Sequence, residues 1–431
     1  MRRYALDESV DALIIGTGAG GAPLMARLAR AGLSAVALEA VQWSTPMACH
    51  LMCRISTSVT TQPFPVHWRP IRRSRSWHWL CAPPTGFLTR KQGPAVAKKE
   101  NFLSVIDRCH KNGEAEGDRH GGAGGADGSG LPTSGPGNFM FATGIECSNP
   151  TIGHGRIRRA LLDECGHYTH WRKDLQLVKS MGLKVLRYGL PYHRTHFGIG
   201  KYDWSFADEV MQEMQRLKIM PILDLLHFGV PDWLGNFQNP ELLVHFAAYA
   251  GAVARRYPWV RFYTPVNEIY VCAKFSAKEG KWNEQLKSGR GFVTALKHLV
   301  AANTLACHAI VRQRPDAVIV QSQNAEYVHE IIPEKSAHVA LENQLRFLAL
   351  DLLYANPPDA NVMCCLLDNG LTRAEYAWNM RGEPPGHQIM GNDYYGRNET
   401  MLLPDGSRVY CEDVLGWYQI TKQYYKRYKR R

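Results

Sequence analysis

From Phe139 onward, short runs of strand-forming residues alternate with longer amphipathic stretches, and nothing else in the chain restricts its fold as strongly. Strands are expected at Phe139 to Ile145, Lys184-Val-Leu-Arg-Tyr-Gly189, Met220 to His227, Arg261 to Glu268, Ala317 to Gln321 and Gln388 to Tyr395. Helices are expected between them at His167 to Gly182, Ser205 to Leu217, Pro240 to Tyr257, Phe292 to Arg312 and across roughly Pro333 to Met380, with a last one at Val414 to Tyr428. Parallel strands need crossover connections, and helices of this length supply them. No Gly-rich phosphate turn interrupts this region, which favours a (β/α)8 TIM barrel over a doubly wound sheet.

Most of these strands end in a polar or charged residue, which a purely structural core does not require. Glu146 follows the first, Arg187 lies late in the second, His227 ends the third, Asn267 and Glu268 end the fourth, and Asp393 and Tyr395 close the sixth. Strand C-termini form the active face of such barrels, so Glu268 is the candidate proton donor and the others are candidate substrate-binding groups. Each has a structural alternative: Arg187 as an ion-pair partner, His227 as a hydrogen-bonded core histidine, Asp393 as a helix cap. Trp233, Trp282 and Phe228 have the chemistry of a stacking wall, and equally that of core residues.

The first forty residues read differently. Val10 to Ile15, then Gly16-Thr-Gly18-Ala-Gly-Gly21, an Ala- and Leu-rich helix, and Ala35 to Glu39 make a strand, Gly-rich turn, helix and strand. This is the dinucleotide fingerprint: Gly16, Gly18 and Gly21 let backbone approach a pyrophosphate, and Glu39 takes a ribose hydroxyl. One βαβ unit cannot bury its own sheet faces, so no bound FAD or other cofactor is expected. Residues 41 to 138 show no helical or strand period; they include the linker-like run Gly121-Gly-Ala-Gly-Gly-Ala-Asp-Gly-Ser-Gly130 and are expected to be poorly ordered. Text of this kind is also what a shifted reading frame produces.

The net charge of +12 raises the question of nucleic acid. Val41 to Lys99 holds nine Lys or Arg and no acid, so the excess is concentrated in the span expected to be unstructured, and a second basic cluster, Tyr424 to Arg431, ends the chain. No nucleic-acid partner is expected. No run of eighteen apolar residues and no signal-like apolar start is present, so neither a membrane span nor export is expected and the cytoplasm is the expected location. Eleven cysteines without a Cys-x-x-Cys pair read as reduced thiols, and Cys49, His50 and Cys53 lack a second ligand pair, so no metal is expected.

Two resemblances can be placed on these residues. Gly16-Thr-Gly-Ala-Gly-Gly-Ala-Pro23 resembles the opening of the glucose-methanol-choline flavin oxidoreductases, over about thirty residues. Thr264-Pro-Val-Asn-Glu-Ile269 resembles the Thr-x-Asn-Glu-Pro strand of glycoside hydrolase family 1, the β-glucosidase family of retaining glycosidases. Leu226-His-Phe-Gly-Val-Pro-Asp-Trp-Leu234 with Asn239-Pro-Glu241, and Gly391-Asn-Asp-Tyr-Tyr395, are similar to further motifs of that family. The resemblance covers 139 to 431 and implies that Glu268 is the general acid and base, that Asn267 holds the sugar 2-hydroxyl, that His227 binds a neighbouring hydroxyl and that Tyr395 touches the nucleophile. Asp393 occupies the family's Asn position, Ile269 its Pro, and Glu146 stands near its sugar-binding Gln.

The family's nucleophile lies in a Glu-Asn-Gly segment on a seventh strand, which would follow the helix Val414 to Tyr428. On this reading the barrel is incomplete, activity is impaired, and the exposed edges favour aggregation or assembly. Glu399 and Glu412 are carboxyls nearby, but neither ends an apolar strand. The expected organisation is an α/β chain: a Rossmann-like fragment at 1–40, a linker at 41–138, and a partial TIM-barrel glycoside hydrolase domain at 139–431 acting on a small glycoside. The alternatives are a flavin oxidoreductase built on the N-terminal turn and a sugar-binding module without turnover.

Overall fold

The structure is a computed structural model that describes residues 141–429 apart from 330–335, 396 and 412–414, the helix Phe102–Ala115, and the strands Ala12–Ile15, Ala35–Glu39 and Arg54–Ile55. The chain divides into two units. One takes His78–Asn324, Gln344–Asp393 and Tyr428–Arg431; the other takes Met1–Trp77, Ala325–Asn343 and Tyr394–Arg427.

The larger unit is built on six parallel strands: β1 (Ala142–Ile145), β2 (Val185–Gly189), β3 (Met220–Leu226), β4 (Phe262–Val266), β5 (Val318–Asn324) and β6 (His387–Asp393). They lie side by side in chain order. One register line runs through Gly144, Arg187, Ile222, Phe262, Val318 and His387. This consecutive parallel order is that of a (β/α)8 barrel in incomplete form, with β1 and β6 each paired on one side only among the described residues.

Local chemistry fixes the helices between the strands. Met181 ends His167–Ser180, and Gly182 follows it at φ 75°, a left-handed position that glycine fills without a Cβ clash. Ser288 caps Gly289–Gln313 by accepting from the Gly291 amide, and Thr372 and Glu375 form a reciprocal capping box on Arg373–Asn379. Gly289–Gln313 and Leu242–Arg256 bury most of their apolar residues, consistent with helices covering a fully buried sheet.

Three expectations need correcting. Residues 41–138 are not without structure throughout: Phe102–Ala115 is a helix whose Phe102, Val105 and Ile106 are buried with Leu243, Ala247, Ala301 and Leu305. These three stand at helical spacing, so the apolar stripe was there to be read. The fifth strand runs on to Asn324, past the polar residues Gln321, Ser322 and Gln323, all buried. The sixth ends at Asp393, so Tyr395 belongs to the other unit.

In that smaller unit the strand Glu399–Leu402 pairs in parallel with Tyr327–His329 and antiparallel with Arg408–Tyr410. Val328, Val339 and Leu402 form its apolar centre, and Asn343 closes it by bonding both the amide and the carbonyl of Val328. Ala12–Ile15 and Ala35–Glu39 pair in parallel, as the βαβ reading requires, but Arg54–Ile55 joins the second strand antiparallel. Gly16, Gly18 and Gly21 lie outside the described residues. No helix among the described residues is long and apolar enough to cross a membrane.

Candidate active site

At the C-terminal ends of β2, β3 and β4 four side chains close a ring of hydrogen bonds. Arg187 Nη2 donates to Asp224 Oδ2 at 2.9 Å and to Asn267 Oδ1 at 2.6 Å. The same Asp224 oxygen meets His227 Nδ1 at 2.7 Å, and His227 Nε2 meets Asn267 Nδ2 at 3.2 Å. The ring assigns its own protons. Guanidinium cannot accept, so Asn267 presents its oxygen to Arg187 and its amide N–H to His227, and the imidazole carries its proton on Nδ1 toward the carboxylate.

The backbone explains why these residues meet. Asp224 pairs in register with Gly189 on β2 and Thr264 on β4, one pleat beyond the line through Arg187, so Arg187 and Asp224 share the inner face. The Asn267 amide continues the ladder by donating to the Leu226 carbonyl. Asp224 was missed by sequence reasoning, although an acid three residues before His227 in an otherwise apolar run was a signal in plain view. It is fully buried, and its second oxygen has no hydrogen-bond partner among the described residues.

Glu268 sits beside this ring in a different environment. It follows β4 at φ 45°, in the left-handed region, and opens the short helix Ile269–Ala273. Its amide donates to the Ser322 carbonyl of β5. The residue is 4% exposed, and its Oε1 has no hydrogen-bond partner among the described residues. Burial, above all, raises its pKa well above the ordinary carboxylate value; the charges of Asp393 and Glu146 add to the rise, while Arg187 and a hydrogen bond from Asn324 oppose it. These surroundings therefore favour its protonated form, the state a proton donor needs.

Asp393, on β6, accepts from Ser322 Oγ at 2.6 Å. Ser322 and Asn324 belong to the site because β5 is longer than its apolar run suggested. Glu146, 39% exposed, lies with its carboxylate 3.9 Å from Arg187 Nη1 and 3.7 Å from His227 Nε2. Its position follows from close packing of the next residues: a Cβ on Gly189 would overlap Cys147, and one on Gly229 would overlap the Asn149 backbone. Arg158 ties that segment down by donating to the Asn149 and Val230 carbonyls at 2.7 and 2.8 Å.

Of the residues expected from sequence, Glu146, Arg187, His227, Asn267, Glu268 and Asp393 belong to one unit and interact as described. Tyr395 is 53% exposed and falls in the other unit. Phe228 and Trp282 pack ring to ring at 4.8 Å next to His227. Trp233 instead donates to the His196 carbonyl and packs on His245, a structural placement.

Comparison with known proteins agrees with this geometry. Residues 158–356 match the model of glycosyl hydrolase family 1, a span that holds Arg187, Asp224, His227, Asn267 and Glu268. Human cytosolic beta-glucosidase is 23% identical over 206 residues, 45% of this chain and 44% of that protein. A 6-phospho-beta-galactosidase of Streptococcus equi subsp. zooepidemicus is 29% identical over 109 residues, 24% of this chain and 23% of its own. The chain thus spans less than half the length of these curated relatives. Among solved structures, a beta-glucosidase from Thermotoga maritima in complex with castanospermine superposes with a TM-score of 0.58 at 16% identity, covering 68% of this chain and 76% of that one. Residues 158–356 of this chain are thus similar to glycosyl hydrolase family 1, and the fold around them is that of the family's beta-glucosidases.

Proposed function

We propose that the larger unit binds the sugar end of β-glycosides and that Glu268 protonates the departing glycosidic oxygen. The observation that carries this reading is a buried carboxyl at a parallel strand end with one oxygen unpartnered among the described residues, in surroundings that favour its protonated form. Asn267 has one amide N–H left after serving His227, and that donor is offered to a sugar hydroxyl. Glu146 supplies acceptor oxygens on the neighbouring side. Phe228 and Trp282 provide an apolar wall of the kind that packs on a pyranose face.

Retaining hydrolysis also needs a second carboxyl about 5 to 5.5 Å from the first, to attack the anomeric carbon. The proposal concerns the proton-donor half of that chemistry. An intracellular location goes with it, on the name of the cytosolic relative. The test is hydrolysis of aryl β-glycosides by the full chain and by Glu268→Gln. Turnover abolished by the substitution supports the role of Glu268, and turnover unchanged by it overturns that role. Castanospermine titrated calorimetrically into the wild type separates a sugar-binding module without turnover, which would still bind, from a chain that does neither.

A further inference from the structure

We propose that His329, Glu399 and Cys411, in the smaller unit, form a binding site for a divalent cation of the zinc type. The three residues come from adjacent strands of one sheet: His329 ends Tyr327–His329, Glu399 begins Glu399–Leu402, and Cys411 follows Arg408–Tyr410. An imidazole nitrogen, a carboxylate oxygen and a thiol sulfur all lie within 4.8 Å of one another. Zinc bonds of about 2.0 to 2.3 Å in a tetrahedron place ligand atoms roughly 3.3 to 3.8 Å apart, so small side-chain rotations would seat all three. The backbone is already braced for this, since the Cys411 amide donates to the Glu399 carbonyl at 2.9 Å.

A second observation concerns charge. Glu399 is 1% exposed, yet among the described residues no Lys or Arg pairs with it. Its partners are His329 Nε2 at 2.6 Å and the Tyr394 hydroxyl, which donates to Oε2 at 3.1 Å. A bound cation would balance the charge of this buried carboxylate. On binding, the Cys411 thiol proton leaves to solvent as the metal–sulfur bond forms, the proton between His329 Nε2 and Glu399 moves to His329 Nδ1 or, from the imidazolium, to solvent, and the hydrogen bond is replaced by bonds from each residue to the metal. Tyr394 then orients the carboxylate from outside, as hydrogen-bonded partners of metal ligands commonly do. Three protein ligands leave one tetrahedral position for water.

The test uses the full chain, reduced and stripped with a chelator, then titrated with Co2+ and afterwards Zn2+. One Co2+ per chain with a thiolate-to-cobalt charge-transfer band, displaced by Zn2+, is expected. Cys411→Ser should remove the band, His329→Ala should lose stoichiometric binding, and a change at the exposed Cys364 should leave both intact. Tyr394→Phe should weaken binding roughly 10-fold. No charge-transfer band in the wild type, or one that survives Cys411→Ser, overturns the proposal. Should that variant not fold, X-ray absorption on the Zn2+-loaded wild type decides: a single sulfur ligand supports the site, and none or several overturns it.

Discussion

The two sides of the strand-end floor are built on opposite principles. Arg187, Asp224, His227 and Asn267 bond one another in a closed ring, while Glu268, beside them, keeps an oxygen unpartnered and a raised pKa. A closed ring with its carboxylate paired to a guanidinium holds its members in one rotamer each, which suits groups that must present fixed donors and acceptors. An unsaturated buried carboxyl is energetically poor and chemically ready. The contrast teaches that the ring is the scaffold and Glu268 the reactive part.

The largest effect should come from the reactive side. If the proposed activity is present, Glu268→Gln should lower turnover by roughly 100- to 10,000-fold, read by initial rates on aryl glycosides with good and poor leaving groups. A loss equally large for the best leaving group would point to a role other than proton donation.

On the scaffold side, Asp224→Leu leaves Arg187 buried without its carboxylate and should cost roughly 3 to 5 kcal/mol, measured by urea unfolding. Asp224→Asn, which can still accept from Arg187 and His227, should cost less. Equal costs would mean that charge plays no part in the ring.

Gly229→Ala should follow in size. The new methyl meets the Asn149 backbone, and displacing the segment that carries Glu146 should cost about 1 to 3 kcal/mol. Ser322→Ala, which removes one hydrogen bond to Asp393, should cost only about 1 kcal/mol.

The comparison can also be sharpened by pH. A carboxyl whose pKa is raised on folding favours the folded state fully below its unfolded value, near 4.5, and that contribution is lost as pH rises through the folded value. Glu268→Gln should therefore be more stable than the wild type at neutral pH, with the gap closing as pH falls through the folded value and gone below about 4.5. A gap that does not depend on pH would show that Glu268 titrates normally.

Much of this floor was legible because strand alternation and polar strand ends are local properties. Glu268, Asn267 and His227 each sit where an apolar run stops, and the run itself marks the place. Asp224 was hidden by being inside a run, where an acid reads as an interruption until its partner on the neighbouring strand, Arg187, is known. Ser322 and Asn324 were hidden because β5 continues through residues that carry no strand pattern, held by pairing to β6 rather than by their own preference. Tyr395 shows the converse: a motif that reads continuously in sequence, Gly391 to Tyr395, is cut by the boundary between the units. The helix Phe102–Ala115 lay in a span whose composition concealed one good amphipathic turn.

The left-handed backbone at Glu268 sets this position apart from its neighbours. A non-glycine residue there costs of order 1 to 3 kcal/mol, which glycine would avoid. Selection for thermal resistance alone should therefore drift toward Glu268→Gly and discard the acid, so a library sorted only by heat tolerance would mark this residue by losing it.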